Sequence, residues 1–508
     1  MKKTLRTGRG RRGVLIYLLL VGGAAALYLP HAGIPVYGDD FEFRFVDPRP
    51  YIFGAFGYSD LGWFRPIKAS WCALNQYLFG ENTFVLQTGH VFIHSLLACF
   101  LFGFMRDCGL GQWPAGLGSV WFLVNPINVS AVLGSDTTDQ IGSGAAGFLS
   151  FALAWRFCKE ERQLSSGDAA PLWLMVGSLI ALGLAMLFKE SGLAFAGILW
   201  AILGFAIWRD RCRLAPGTVR RVAIFFILSI MLTAGYFIYR DAARDPRPII
   251  FGTGRYQFRI GTNILSNEIL LLVAPLIPFS TVDAYIATVR RVPLSLTAMS
   301  FCLLAWLLLL SAGATIARRW PAVLGLGILA SCAGVPVVFL NHVSELYAYN
   351  VAPFWAVVVA LTIPPLLEPH RPQVMRVTTA VFASAVLVSS VIAVKQKASY
   401  FEANGHNAAI LLPQVVEFAK QLPPQGTLFL YDRRDPGTIR YSEFLGDPLM
   451  SLDDTGLRNG VGPWVKHLAR RPDIRVKYVT EEPPHESADI VLVPDVAGKI
   501  VGLKVLSK

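Results

Sequence analysis

The chain has 508 residues, of which 54% are apolar and only 16% are charged, and its mean hydropathy is +0.49. Soluble domains contain about 45–50% apolar and about 25% charged residues, so this composition excludes a soluble enzyme, a disordered chain and a disulfide scaffold. The net charge of +12 would suggest a nucleic-acid partner, but the basic residues gather in short loops between apolar runs. We therefore predict a polytopic membrane protein that binds no nucleic acid.

Apolar runs of about 17–24 residues predict the membrane spans, because about 20 helical residues cross a hydrocarbon core of about 30 Å. The first run has a basic start like a signal peptide, but its apolar part is long for one, so we expect it to remain as an anchor. We predict eleven spans, near 13–30, 85–105, 113–133, 141–157, 172–188, 191–208, 222–239, 294–316, 321–340, 351–367 and 377–394. A further apolar stretch, 263–280, has two prolines near its end and is expected to be a re-entrant or interfacial helix.

The basic loops orient these spans, because short basic loops stay in the cytoplasm. All the basic loops fall on the cytoplasmic side when the N-terminus lies inside and 263–280 does not cross the membrane. The outer side then carries loops 31–84 and 240–293 and the polar tail. We therefore predict a transmembrane domain over 1–394 and a periplasmic α/β domain over 395–508, in a bacterial inner membrane. In the tail we expect strands near 427–431, 475–480 and 490–493 and a helix over 408–421.

Two adjacent carboxylates, Asp39 and Asp40, follow the first span and have aromatic neighbours. A carboxylate pair beside a span end is costly, which suggests a function. One carboxylate could deprotonate an acceptor hydroxyl, while the other orients that hydroxyl or holds a divalent metal ion. The alternative is a helix N-cap and a turn, because Gly-Asp-Asp is ordinary turn chemistry. The sequence itself demands no metal and no other cofactor.

Polar groups near the next span supply further candidates. Arg65 precedes an amphipathic segment, 67–79, and could form a bidentate contact with a phosphate. Alternatively, Arg65 is an anchor at the level of the lipid headgroups. His90 and His94 are four residues apart and share one helix face. They form either a metal- or phosphate-binding pair or, as we favour, hydrogen bonds between helices.

The second outer loop is rich in arginine, which runs against the usual bias of outer loops. Its arginines are Arg240, Arg244, Arg247, Arg255 and Arg259. An anionic, lipid-linked substrate would explain them, with Arg255 and Arg259 one helical turn apart. Attraction to anionic headgroups is the alternative.

Two short segments between spans complete the candidates. Lys189 and Glu190 occupy a tight turn and could be no more than a local ion pair. Glu345 and Tyr349 flank Tyr347 in a later outer turn, and would share a face if that segment is helical.

These motifs, in their order along the chain, resemble the membrane part of the GT-C glycosyltransferases over about residues 10–400. The nearest resemblance is to the O-mannosyltransferases that carry tetratricopeptide repeats; protein mannosyltransferases and the aminoarabinose transferase of lipid A are more distant. The motifs are Asp39-Asp40, Arg65-Pro66, the His-bearing second span, Asn125-Pro126-Ile127-Asn128-Val129-Ser130, Phe188-Lys189-Glu190-Ser191-Gly192, and Glu345 with Tyr347 and Tyr349. The sequence departs from the family at Asn125 and Asn128 (histidines), Ser130 (a glutamate) and Leu346 (an arginine), and no tetratricopeptide repeats follow.

The resemblance implies a reaction. The donor would be a sugar on a polyprenyl phosphate at the outer face of the membrane, and the acceptor a hydroxyl of a protein, lipid or glycan. Asp39 or Asp40 would be the general base of an inverting displacement. The phosphate would bind Arg65, Arg255 and Arg259, with supporting roles for His90, His94, Lys189, Glu190, Glu345, Tyr347 and Tyr349. The alternatives are a glycan polymerase or ligase that uses a diphosphate-linked oligosaccharide, a lipid or sugar transporter (flippase), and a membrane receptor.

Overall fold

The structure, a computed structural model, is mostly helical. It describes residues 4–37, 45–54, 56, 64–163, 171–210, 216–243, 259–289, 291–340, 343–431, 461–479, 490–494 and 500–505. The helices up to residue 243 are α1 (Thr4–Tyr28), α2 (Arg49–Gly54), α3 (Pro66–Phe79), α4 (Thr83–Asp107), α5 (Gln112–Leu123), α6 (Val129–Leu133), α7 (Thr138–Gln163), α8 (Leu172–Phe188), α9 (Leu193–Asp210) and α10 (Pro216–Ala243). The later helices are α11 (Thr262–Val273), α12 (Thr281–Val289), α13 (Pro293–Ile316), α14 (Trp320–Val338), α15 (Ala352–Thr362), α16 (Gln373–Gln421) and α17 (Val461–Ala469).

The chain is a multi-pass helical membrane protein, as the composition predicts. In the described ranges, eight helices are long and apolar enough to cross a bilayer. A ninth crossing is a pair of helices, Gln112–Leu123 and Pro126–Leu133, bent by 47° at the Asn-Pro step, because proline cannot continue a straight helix. Two shorter apolar helices, Leu172–Phe188 and Ala352–Leu366, correspond to the remaining two predicted spans.

The stretch 263–280 has the geometry of a re-entrant helix. Helix α11 has 12 residues and is about 18 Å long, less than the thickness of the hydrocarbon core. Just before it, the backbone N–H of Arg259 donates to the carbonyl of Phe339 at 2.7 Å. Just after it, the Thr281 hydroxyl donates to the carboxylate of Glu345. Both ends therefore lie at the same end of the bundle, so the segment does not cross.

The tail begins as a continuation of the last span. Helix α16 has 49 residues, about 73 Å at 1.5 Å per residue, and it merges the predicted span 377–394 with the predicted tail helix 408–421. The division of the chain at residue 395 therefore falls inside one helix and stays a prediction.

A small α/β unit follows helix α16. Four strands, β1 (Thr427–Tyr431), β2 (Arg475–Val479), β3 (Ile490–Pro494) and β4 (Ile500–Val505), form a sheet in the order β2-β1-β3-β4. Strand β1 pairs in parallel with β2 and β3, whereas β3 and β4 are antiparallel. The sequence predicts the first three strands and misses β4, because its Gly502 and Lys504 interrupt the apolar pattern.

Candidate active site

The sequence-predicted residues fall into two groups. Asp39, Asp40 and Arg255 lie outside the described residues. Arg259 lies at the exposed start of the re-entrant segment, beside the end of α14. The other predicted residues lie at the end of the bundle where α3 and α7 begin and α8 and α14 end. They belong to two clusters of ion pairs and a pair of histidines.

The first group is centred on Asp139, and we call it the Asp139 cluster; it comprises Arg65, Lys68, Asp139, Lys189 and Glu190. Three cations approach the same carboxylate oxygen, Oδ2 of Asp139: Arg65 at 2.7 Å, Lys189 at 3.2 Å and Lys68 at 3.7 Å. Arg65 also contacts Glu190 at 3.0 Å. The ion pairs of Lys189 and Glu190 are thus with Asp139 and Arg65, which the fold brings to them, so the predicted local pair is not how the structure arranges them.

Each member of the Asp139 cluster is positioned by the start or end of a helix. Arg65 immediately precedes Pro66, the first residue of α3, and Lys68 is on the buried face of that helix. Asp139 lies in the first turn of α7, where the helix dipole favours a negative charge. Lys189 ends α8 and opens the 3₁₀-helix Glu190–Gly192.

Among the described residues, the Asp139 cluster contains three cations and two carboxylates. Lys68, Lys189 and Asp139 are buried, whereas Arg65 and Glu190 retain 15% and 21% of their side-chain exposure. Burial lowers the pKa of Lys189 to about 8, although the Asp139 carboxylate opposes that shift. The ring of Tyr347 lies 5.2 Å from the Lys189 ammonium, a cation–π distance. The arrangement suits an anion that enters from the Arg65 side.

The second group, the Glu345 cluster, comprises Ser130, Thr281, Glu345 and Lys397. Lys397 and Glu345 form an ion pair at 2.7 Å in which both side chains are fully buried. The hydroxyls of Ser130 (2.7 Å) and Thr281 donate to the same carboxylate. Lys397 also donates to the carbonyl of Pro126 at 2.9 Å. Four separate segments of the chain are therefore joined through one buried charge pair.

The two histidines take part in contacts between helices. His90 is hydrogen-bonded to the hydroxyl of Thr138 at 2.7 Å, beside Asp139. His94 lies deeper, within hydrogen-bonding distance of the Tyr349 hydroxyl (3.1 Å) and the Leu123 carbonyl (3.3 Å). These partners agree with the interpretation that we favour from the sequence. Among the described residues, no group of three histidine, cysteine or acidic side chains is arranged to hold a metal ion.

The segment that carries Glu345, Tyr347 and Tyr349 contacts the Asp139 cluster, the Glu345 cluster and His94. The segment Glu345–Asn350 is a 3₁₀-helix, in which residues three apart are aligned. Glu345 and Tyr349, four apart, therefore do not share a face: Glu345 meets Lys397, while Tyr349 meets His94. Helix α7 approaches this element closely at Gly144, where a Cβ atom would lie 2.8 Å from the side-chain oxygen of Asn350. A larger residue at 144 would force the side chains of Asn350 or Tyr349 to move.

Sequence reasoning missed Lys68, Asp139, Thr281 and Lys397. Asp139 had a usable signal, because it is a carboxylate directly before a span, as Asp39 and Asp40 are directly after one. Lys68 and Lys397 had a weaker signal, a lysine on the apolar face of an amphipathic helix.

No model of a protein family matches the sequence, and neither does any curated protein. Several solved structures do. ArnT from Cupriavidus metallidurans in the apo state is 14% identical, with 91% of this chain and 85% of that chain covered and a TM-score of 0.54. The oligosaccharyltransferase of Archaeoglobus fulgidus in the apo form is 11% identical, with 94% and 65% covered and a TM-score of 0.53. The archaeal oligosaccharyltransferase AglB from the same organism, in complex with an inhibitory peptide and a dolichol-phosphate, is 10% identical, with 92% and 64% covered and a TM-score of 0.51.

At identities this low, the similarity shows a shared fold. Each structural match covers more than nine-tenths of the chain. All three structures are of GT-C glycosyltransferases. The chain therefore has the fold of the GT-C glycosyltransferases.

Proposed function

We propose that the chain is a membrane glycosyltransferase that transfers a sugar from a polyprenyl-phosphate-linked donor to an acceptor hydroxyl. The reaction takes place at the outer, periplasmic face of a bacterial inner membrane. One observation carries the proposal: the cations of Arg65, Lys68 and Lys189 converge at one end of a GT-C bundle. The complex of the neighbour AglB with a dolichol-phosphate supports a lipid phosphate as the group they bind.

In the proposed step, the acceptor oxygen bonds to the anomeric carbon of the sugar. The bond between that carbon and the phosphate oxygen breaks, its electron pair leaves with the polyprenyl phosphate, and the anomeric centre is inverted. Asp39 or Asp40 accepts the hydroxyl proton. Negative charge develops on the departing phosphate oxygen, where cations fixed in a poorly hydrated site stabilise it most.

Within the Asp139 cluster, the carboxylates hold the cations in place before the donor arrives. Asp139 fixes Lys68 and Lys189 from inside the bundle, and Glu190 fixes Arg65. The phosphate then binds on the exposed side of the Arg65 guanidinium, a group whose planar fork matches phosphate oxygens. Arg255 and Arg259 are proposed to reach the same phosphate from the second outer loop.

Replacing Arg65 with Gln, or Lys68 with Met, is expected to weaken binding of undecaprenyl phosphate by about 10–100-fold. The first change removes a charged hydrogen bond to the phosphate, and the second removes a buried positive charge behind it. Binding is measured by titrating the lipid into the purified full chain in detergent. The matched control is Arg156→Gln, which breaks an exposed ion pair with Glu160 on the opposite half of α7. Equal affinity in the wild type and in both folded variants would contradict the assignment of the phosphate site.

Lys189 gives the site a pH dependence. Its pKa is lowered by burial to about 8, so the ammonium is cationic at pH 7 and loses its charge as the pH rises through about 8. Affinity for undecaprenyl phosphate is therefore expected to fall between pH 7 and 9.5. Lys189→Arg keeps its charge over this range and should flatten the profile. A wild-type profile that stays level to pH 9.5 would show that Lys189 does not serve the anion.

A further inference from the structure

A second cationic site lies where the tail meets the first outer loop. A cavity of about 780 Å³ opens there, lined by Val46, Lys466, His467, Leu468, Arg470 and Pro472. Five of its six lining residues come from α17 and the turn after it, and one comes from the loop that carries Asp39 and Asp40. The cavity is therefore shared between the tail and the membrane part.

Among the residues that the structure describes, the side chains lining this cavity carry positive charge only. Two of its six lining residues, Lys466 and Arg470, are cations, and the one acidic residue of the segment 466–477 is Asp473. Asp473 is engaged by Arg471, at 2.8 Å. Among the described residues, no carboxylate forms an ion pair with Lys466 or Arg470, and both line the cavity. A cavity with two such cations favours an anionic ligand.

The backbone of Arg470 has an unusual conformation. This residue follows the last turn of α17 with a φ of +56°, a left-handed conformation that glycine normally adopts at a helix end. An arginine there costs about 1 kcal/mol relative to glycine. Arg291, Arg318 and Gln425 adopt the same conformation elsewhere in the chain.

Hydrogen bonds attach the loop beside the cavity to α3, the helix that carries Lys68. Phe45, next to the cavity-lining Val46, exchanges two hydrogen bonds of 2.9 Å with the side chain of Gln76. Gln76 is on α3, eight residues after Lys68, and so about 12 Å away along the helix axis. The loop segment at Phe45 and Val46 is therefore held near the end of α3 opposite Lys68.

We propose that this cavity binds the phosphate-bearing headgroup of the acceptor, with Lys466 and Arg470 as its anion-binding residues. The inference rests on the proposed transferase function and names the chemical class of its acceptor. The apolar lining, Val46, Leu468 and Pro472, provides contact area for the carbon skeleton of the headgroup, and the cations select for its phosphate. The tail thereby holds the acceptor beside Val46 of the first outer loop.

The test compares two probes on the full chain in zwitterionic detergent by calorimetric titration: glucose 1,6-bisphosphate, which is soluble, and dihexanoyl phosphatidic acid, a lipid phosphate. The double variant Lys466→Gln/Arg470→Gln is expected to raise the Kd of the bound probe by about tenfold. The matched control, Lys420→Gln/Lys477→Gln, removes the same charge from exposed positions of the tail and its helix and should leave the Kd unchanged.

The outcomes separate the source of the phosphate. Charge-dependent binding of the bisphosphate identifies a soluble or carbohydrate phosphate, and binding of the phosphatidic acid alone identifies a membrane headgroup; both support the cavity. If wild type and the Lys466/Arg470 double variant bind both probes equally, or if neither probe binds the wild type, the proposal is overturned. Undecaprenyl phosphate is titrated in parallel, because its failure to bind the wild type would instead refute the transferase function.

Discussion

Replacing Lys397 with Met is expected to lower the free energy of unfolding by about 3–5 kcal/mol, because the change leaves the Glu345 carboxylate buried without its partner. Both side chains of this pair have 0% exposure and lie 2.7 Å apart. Glu345→Gln should destabilise the chain by a similar amount through the unpaired ammonium. The double variant Lys397→Met/Glu345→Gln should recover part of the loss, since no buried charge remains. Denaturant titration of the detergent-purified chain measures all three.

Helix α16 supplies its own control for this experiment. Lys420 forms an ion pair with Glu417 on the same helix, but their side chains are 47% and 64% exposed. Solvent screens such a pair, so Lys420→Met is expected to change stability by less than about 1 kcal/mol. Equal effects of the Lys397 and Lys420 substitutions would contradict the view that burial makes the first pair structural.

The Glu345 cluster also has a geometric consequence for the tail. Lys397, Tyr400 and Glu402 occupy adjacent turns of α16 and contact four other segments, at Pro126, Thr281–Asp283, Glu345 and His31. Tyr400 donates to Asp283 at 2.7 Å, and Glu402 lies 2.8 Å from His31 at the end of the first span. The helix that carries the tail is therefore fastened to the same end of the bundle as the Asp139 cluster. This fastening fixes where the tail's cationic cavity lies.

The spans were predictable because hydropathy and length are local properties of the sequence. Ten of the eleven predicted spans correspond to single helices, and the other, 113–133, is bent at Asn125-Pro126. The re-entrant segment was also predictable, because counting it as a span would have placed basic loops outside. Where a span continues into the tail was not predictable from hydropathy, since α16 remains helical after its apolar pattern stops at about residue 394.

The site was only partly predictable, because its ion pairs join residues far apart in the chain. Arg65 and Asp139 are separated by 74 positions, and Glu345 and Lys397 by 52. Sequence spacing indicates neighbours within a helix, but it gives no partner on another helix. It therefore suggested a local pair for Lys189 and Glu190, whereas the fold gives each a partner elsewhere. The 3₁₀ form of Glu345–Asn350 was likewise invisible to a pattern that assumes α-helical spacing.

Replacing the general base should produce the largest loss of activity. Asp39→Asn and Asp40→Asn each remove a carboxylate while keeping its size, and one of them is expected to reduce sugar transfer in vesicles by about 10²–10⁴-fold without weakening the binding of undecaprenyl phosphate. Asp47→Asn is the matched control, because Asp47 is an exposed carboxylate of the same loop, paired with Arg49. Full transfer activity in both Asp39→Asn and Asp40→Asn would rule out the proposed base. Repeating the wild-type assay with a chelator tests whether the pair acts through a divalent metal ion. Unchanged transfer would exclude the metal and leave proton abstraction by the carboxylate itself. If the chelator abolishes transfer and added metal restores it, the pair binds a metal ion.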